Sequence, residues 1–175
     1  MKKTYVMPLL VLTVICLVVS GALAFMNSVT EPLITSAAAE RAQEVMAVKM
    51  PDATGFEPVD FSGLEGIPAS INEIYNTKND IGYILIAAVN GFSGDITVIC
   101  AVDNNGKIIS ASTLSHTETK GIGTIIEQES FLGTFKGVDI NLEGVDTFTG
   151  ATISTRANIH AVEDILTAFA VIKAG

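Results

Sequence analysis

Cysteine is almost missing from this chain: Cys16 and Cys100 are the only two in 175 residues. Cys16 sits in a long apolar run and Cys100 in an apolar strand pattern, so nothing brings them together. Neither a disulfide framework nor a cysteine metal site is expected, and both read as apolar fillers. Thr13-Val14-Ile15 before Cys16 lacks the small residues that precede a lipidated cysteine. Histidine is equally scarce, at two residues. His116 has no second histidine or carboxylate at metal-ligand spacing beside it, so no metal site is expected. The chain also lacks a Gly-x-Ser-x-Gly elbow, a dinucleotide-binding glycine pattern, internal repeats and low-complexity tracts. Basic residues are outnumbered, ten Lys and Arg against nineteen Asp and Glu, for a net charge of −9. Nucleic acid needs a basic surface and is excluded as a partner. The acidity itself asks for no explanation beyond solubility.

Apolar residues are abundant, at 49% of the chain, and the mean hydropathy of +0.48 is high for a soluble protein. The first 26 residues, MKKTYVMPLLVLTVICLVVSGALAFM, account for it. Tyr5 to Met26 carry no charge, and roughly 20 apolar residues span a bilayer as a helix. Pro8 lies near the start, where a helix tolerates proline best. Lys2 and Lys3, followed by Ala22-Leu23-Ala24, also fit a cleaved signal peptide, but the apolar run is longer than the usual ~7–15 residues of such a peptide. A retained anchor is therefore expected at 1–27, with the N-terminus inside by the positive-inside rule. On either reading the rest of the chain lies outside the cytoplasm.

Thr30-Glu31-Pro32 suggests a helix start, and the Ala-rich stretch to residue 48 a juxtamembrane helix within 28–50. Residues 51–69 look irregular. Strand patterns then follow at Ile71–Asn76, Gly82–Val89, Asp95–Val102 and Lys107–Leu114. The last three are joined by the turns Asn90-Gly91-Phe92-Ser93-Gly94 and Asp103-Asn104-Asn105-Gly106, so an antiparallel meander is expected. The run GYILIAAV is nearly all apolar, as in a strand buried on both faces. Residues 127–135 suggest a short helix or irregular segment, and Gly137–Leu142 a further strand. From Asn158 to Lys173, Ile159, Val162, Ile165, Leu166, Phe169 and Ile172 recur at helical spacing. The expected fold is α+β: an antiparallel sheet flanked by helices in a domain at 51–175, preceded by one transmembrane helix.

Two segments could carry chemistry. The first is DTFTGATIST, from Asp146 to Thr155. Ser and Thr cap helix starts and Asp favours the positive end of the helix dipole, so capping alone would explain it. But five hydroxyls exceed what a cap needs, and Gly150-Ala151 leaves the backbone bare to a bulky group. A helix N-terminus is also a natural phosphate site. The second is HTETKGIG, His116 to Gly123, a polar loop after a strand, which alone would be no more than a solvated turn.

Together they are more specific. Asp146-Thr147-Phe148-Thr149-Gly150-Ala151-Thr152 resembles the D-x-x-T-G-A-T flavinylation motif of the FMN-binding domain family. His116–Gly123 resembles that family's H-x-E-T-P-G-L-G segment, with Lys120 in place of the usual Pro and Ile122 in place of Leu. Lys for Pro leaves the loop freer against a flavin ring. The resemblance covers essentially the whole chain and is strongest to the G subunits of Rnf electron-transport complexes. It implies FMN bound covalently to Thr152 through a phosphoester. Thr149, Gly150 and Ala151 would shape the phosphate turn. Asp146 would be read by a separate flavin transferase, which uses FAD and Mg²⁺. His116, Glu118, Thr119, Gly121 and Gly123 would lie near the isoalloxazine or ribityl chain. No residue of the chain is then a catalyst. The chain would be an electron carrier in an ion-translocating ferredoxin:NAD⁺ oxidoreductase of the bacterial cell membrane, among membrane-embedded and iron–sulfur subunits and lipid. Other readings are a free-standing anchored FMN protein serving extracellular acceptors, the C subunit of a sodium-pumping NADH:quinone oxidoreductase, and a non-redox envelope binding module with Thr152 as a plain cap.

Overall fold

A computed structural model describes the backbone of residues 3–174. The side chains of residues 1–9, 28–29, 31–43 and 175 are outside the described residues, and with them those of Lys2, Lys3, Pro8 and Pro32. The chain divides into two compact units, Met1–Glu44 and Val45–Gly175.

The first unit is helical. Helix α1, Lys3–Lys49, begins in it. The helix start expected at Thr30-Glu31-Pro32 is not an element boundary, because α1 runs through it. The Ala-rich sequence that follows is a strong helix former and favours continuation. Leu10–Asn27 has a mean hydropathy of 2.3 and no buried residue, so it is long and apolar enough to cross a membrane.

The second unit holds one five-stranded antiparallel sheet, in the order β1-β2-β3-β4-β5. The strands are β1 (Phe56–Pro58), β2 (Ile71–Thr77), β3 (Gly82–Asn90), β4 (Asp95–Asp103) and β5 (Ile108–His116). Local chemistry makes the turns. Asp103 Oδ1 accepts from the N–H of Asn105 at 2.8 Å and of Lys107 at 2.9 Å, and Gly106 takes a φ of +79° that L side chains resist. Thr77 Oγ donates to the Gly82 carbonyl at 2.9 Å and accepts from the Ile81 N–H at 2.9 Å, closing the β2–β3 turn. Strand β1 falls in the stretch that reads as irregular from sequence. With three residues, one of them Pro58, it has no periodicity to detect and pairs only as an edge.

Helix α3, Thr152–Ala174, lies across β3 and β4. Its Val162, Ile165, Leu166 and Phe169 join Leu85, Val98, Cys100 and Val102 in the core. Burial pushes the Cys100 thiol up to about 12, with Lys49 pulling the other way, so it behaves as an inert apolar group. The short helix α2, Glu129–Leu132, sits between the 3-10 turns Gly123–Glu127 and Gly133–Phe135. The strand expected at Gly137–Leu142 does not form. Gly137 and Leu142 both have positive φ, +80° and +50°, which bends the segment out of any extended run.

One irregularity matters for the site. Thr97 pairs with Ser115 but Val98 with Thr113, so β5 carries an extra residue at Leu114. Such a bulge re-aims the strand that contains it, here just before the His116–Gly123 loop.

Candidate functional site

Helix α3 starts at Thr152, six residues before the apolar periodicity does. The hydroxyl-rich stretch before it was open to a capping reading, and its side chains do something else. Ala151, in the cap position, has no side-chain oxygen. Thr155 Oγ donates to the Ala151 carbonyl at 2.9 Å and accepts from the Phe148 N–H at 3.2 Å, folding the loop back on the helix. Ser154 Oγ donates to Glu118. Asp146 is exposed and accepts from the Thr147 N–H at 2.6 Å. The N–H groups of Thr152, Ile153 and Ser154 therefore have no acceptor among the described residues, and such orphan donors at a helix start call for a partner. Thr152 is exposed, and its hydroxyl reaches only the Phe148 carbonyl, at 3.5 Å.

Gly150 takes a φ of +90°, a conformation that costs an L residue about 1–2 kcal/mol. Gly150→Ala should lower stability by about that amount, read as a shift of the urea midpoint of the full-length chain at unchanged slope.

The second segment meets the first in space. A cavity of about 400 Å³ is lined by Phe92, Glu118, Thr119, Ile122 and Gly123 on one side and by Gly150–Ser154 on the other. Phe92, Ile122 and Ile153 are 66%, 58% and 56% exposed, which is unusual for large apolar side chains that face one opening. Glu118 is buried. Its Oε1 accepts from the N–H of Phe92 at 2.8 Å and of Ser93 at 3.0 Å, and its Oε2 from Ser154. Ser93 Oγ and Thr119 Oγ are 3.2 Å apart. Glycine is required at 123, where a Cβ would stand 2.6 Å from the Glu118 Cβ.

His116 stands behind this wall. Its Nδ1 accepts from the Glu118 N–H at 3.0 Å, and its Nε2 lies 3.0 Å from Glu127 Oε1. That pairing puts the imidazole proton on Nε2 and makes His116 a brace for the loop. Of the residues singled out from sequence, Glu118, Thr119, Gly123, Gly150, Ala151 and Thr152 line the cavity. His116, Gly121, Asp146 and Thr149 are not among its lining residues. Phe92 and Ile153 line it too, and neither was singled out; Ser154, which also lines it, was counted only among the five hydroxyls of the Asp146–Thr155 stretch. Phe92 between Gly91 and Ser93 in a turn carried a faint signal, a large apolar side chain where a turn needs none.

Burial works to raise the Glu118 pKa. The hydrogen bonds from Ser154, Ser93 and Phe92, together with the His116 imidazole, outweigh it and hold the carboxyl below the usual range. A carboxyl depressed on folding binds its proton more weakly in the folded chain. The stability it contributes is complete above the ordinary value of 4.5 and is lost as pH falls through the folded pKa. Urea midpoints measured from pH 6 to pH 3 should therefore fall more steeply for the wild type than for Glu118→Gln below about pH 4.5.

The cavity suits a flat ring. It is walled by apolar groups, and at its lip stand an exposed hydroxyl and three free backbone N–H groups that favour a phosphate. The FMN-binding domain family matches residues 91–167, a span that contains every cavity residue. The chain is 28% identical to the G subunit of the proton-translocating ferredoxin:NAD(+) oxidoreductase complex of Clostridium ljungdahlii, over 87% of this chain and 85% of that protein. It is also 28% identical to the G subunit of the ion-translocating oxidoreductase complex of Shewanella piezotolerans, over 93% of this chain and 88% of the relative. The corresponding protein of Methanosarcina acetivorans matches at 28% over 86% and 87%. The crystal structure of Shewanella oneidensis NqrC shares the fold, with a TM-score of 0.51 at 21% identity over 59% of this chain and 61% of that one.

Proposed function

We infer that this chain, which carries an FMN-binding domain, is the electron-carrying G subunit of an ion-translocating ferredoxin:NAD⁺ oxidoreductase complex, with FMN held covalently on Thr152. The observation that carries the reading is the convergence of the two sequence segments on one cavity, with the Thr152 hydroxyl exposed at its lip. The anchoring helix and the relatives from ion-translocating complexes support a place in the membrane.

Bound FMN would supply the redox chemistry, and the protein its position and electrostatics. Thr152 Oγ would form the bond to phosphorus as the pyrophosphate of FAD opens on a separate transferase and AMP leaves. A neutral hydroxyl needs outside activation for this, in keeping with Thr152, which has only a long contact to a carbonyl. The free N–H groups of Thr152, Ile153 and Ser154 would donate to the phosphate oxygens, and the α3 dipole would favour the charge by about 0.3–1 kcal/mol. Arg156 follows one turn later, also exposed, and residues four apart share a helix face, so it can screen the same charge. Phe92, Ile122 and Ile153 would cover the ring and keep water from it.

The domain is taken to face outward, with lipid around 1–27, and a covalent link then keeps the cofactor from loss by dilution. In the division at 28–50 and 51–175, the short second segment would join anchor to domain. The test is to produce the full-length chain with and without a flavin transferase. A fluorescent band on a denaturing gel, with a mass gain equal to one FMN less water, is expected only with the transferase. An unlabelled chain in both samples would contradict the assignment.

A further inference from the structure

Glu118 is held more firmly than the wall of a cavity requires. Two segments distant in sequence donate to its carboxylate: the β3–β4 turn through the Phe92 and Ser93 N–H groups, and the first turn of α3 through Ser154. Two glycines let the backbone close on it. A Cβ at Gly91 would stand 2.3 Å from Glu118 Oε1, and one at Gly123 would stand 2.9 Å from Oε2. All three donors are neutral. The ion pairs among the described residues are Lys78 with Glu57, His116 with Glu127 and His160 with Asp164, so none of them involves Glu118. Neutral dipoles stabilise a carboxylate where it stands but leave its net charge in place, whereas a lysine or arginine partner would cancel most of it. The nearby His116 ring, which helps to keep the carboxyl ionised, turns its Nδ1 to the Glu118 backbone N–H and not to the carboxylate. The wall of the cavity thus carries a fixed negative charge that neutral donors hold in place.

We propose that Glu118 is a positioning residue for the potential of the flavin: its charge opposes electron entry into the ring and shifts the redox equilibrium toward the oxidised form. The inference rests on the reading that FMN occupies this cavity. A ring that gains two electrons and fewer than two protons becomes more negative, so a neighbouring anion disfavours the reduced state. The surrounding bonds also provide a clean probe. In Glu118→Gln the amide oxygen can keep the two backbone N–H donors. The amide nitrogen can donate to Ser154, because a hydroxyl accepts as well as donates. Charge is removed while the hydrogen-bonding pattern stays.

The experiment uses the full-length chain, labelled with FMN and equilibrated with a redox dye during reduction by dithionite, followed by flavin absorbance. Glu118→Gln should raise the reduced-to-oxidised ratio at fixed potential about tenfold, which is about 30 mV for a two-electron couple. Ser154→Ala keeps the charge but removes one compensating donor, and should move the ratio the opposite way. Thermal melts of the labelled variants show that both remain folded. An unchanged or lower ratio in Glu118→Gln overturns the proposal. A rise of the same size in both variants overturns it too, since that marks a disturbed cavity rather than a lost charge. A wild-type chain that takes no label overturns the occupancy reading itself, before any potential is measured.

Discussion

Thr152→Ala produced together with a flavin transferase is expected to carry no covalent flavin, against nearly complete labelling of the wild type. The effect is all or none because the geometry leaves few substitutes. Ser154 and Thr155 are buried and engaged, the first with Glu118 and the second with the backbone of Phe148 and Ala151. Thr149 is exposed but does not line the cavity. Thr119 is also exposed and lines the cavity, but its hydroxyl lies 3.2 Å from Ser93 Oγ. Thr152 combines exposure and a hydroxyl on the cavity with a place at the start of α3, beside the free N–H groups. Thr152→Ser keeps the reacting group and should restore part of the label, while Thr147→Ala should label fully. Intact-mass spectra read all three. Equal labelling of wild type and Thr152→Ala would move the attachment elsewhere.

Phe131→Ala is expected to cost about 3–5 kcal/mol of stability. Phe131 is fully buried and meets two other rings edge to face, Phe135 at 5.2 Å and Phe148 at 5.7 Å. Its loss removes apolar burial and leaves a cavity that the neighbouring rings fill only in part. The cost is large against the ~5–15 kcal/mol that holds a typical domain together. It should also reach the site. Phe148 supplies the carbonyl that accepts from the Ala151 N–H at 3.1 Å and from the Thr152 hydroxyl. With one side of Phe148 unsupported, labelling should slow even at temperatures where the chain stays folded. Urea denaturation checks the first part and the time course of labelling the second. Ile122→Ala, at an exposed position, should stay within about 0.5 kcal/mol of wild type.

The sheet was legible from sequence because its signals are local. Apolar runs mark β3 and β4, a mixed run of Ile, Ser and Thr marks β5, and Asn-Gly and Asp-Asn-Asn-Gly turns cut them to within a few residues; a shorter mixed run marks β2. The edge strand β1 was not legible, since three residues pair only because β2 is already there. Gly137–Leu142 misled for the converse reason: its composition suits a strand, but two positive φ values bend it. The start of α3 was set too late by periodicity, because Thr152–Ala157 carry few apolar residues to count. The density of hydroxyls around Gly150 and the family likeness of two segments pointed to two stretches that the fold brings together at one cavity.

The chain order of residues thus determines a long apolar helix near the N-terminus, an antiparallel meander, a helix with one apolar face after it, and two polar segments with unusual composition. Each of these is a property of neighbours in sequence. Only the tertiary structure decides that Glu118 meets Ser154 across 36 positions, and that Phe92 closes the same cavity from a third loop. It also moves His116 from the cavity to its back wall. Periodicity records which residues are buried, but it does not record which loops converge. That follows from strand register, from the bulge at Leu114, and from a buried carboxylate that must find donors wherever the fold brings them.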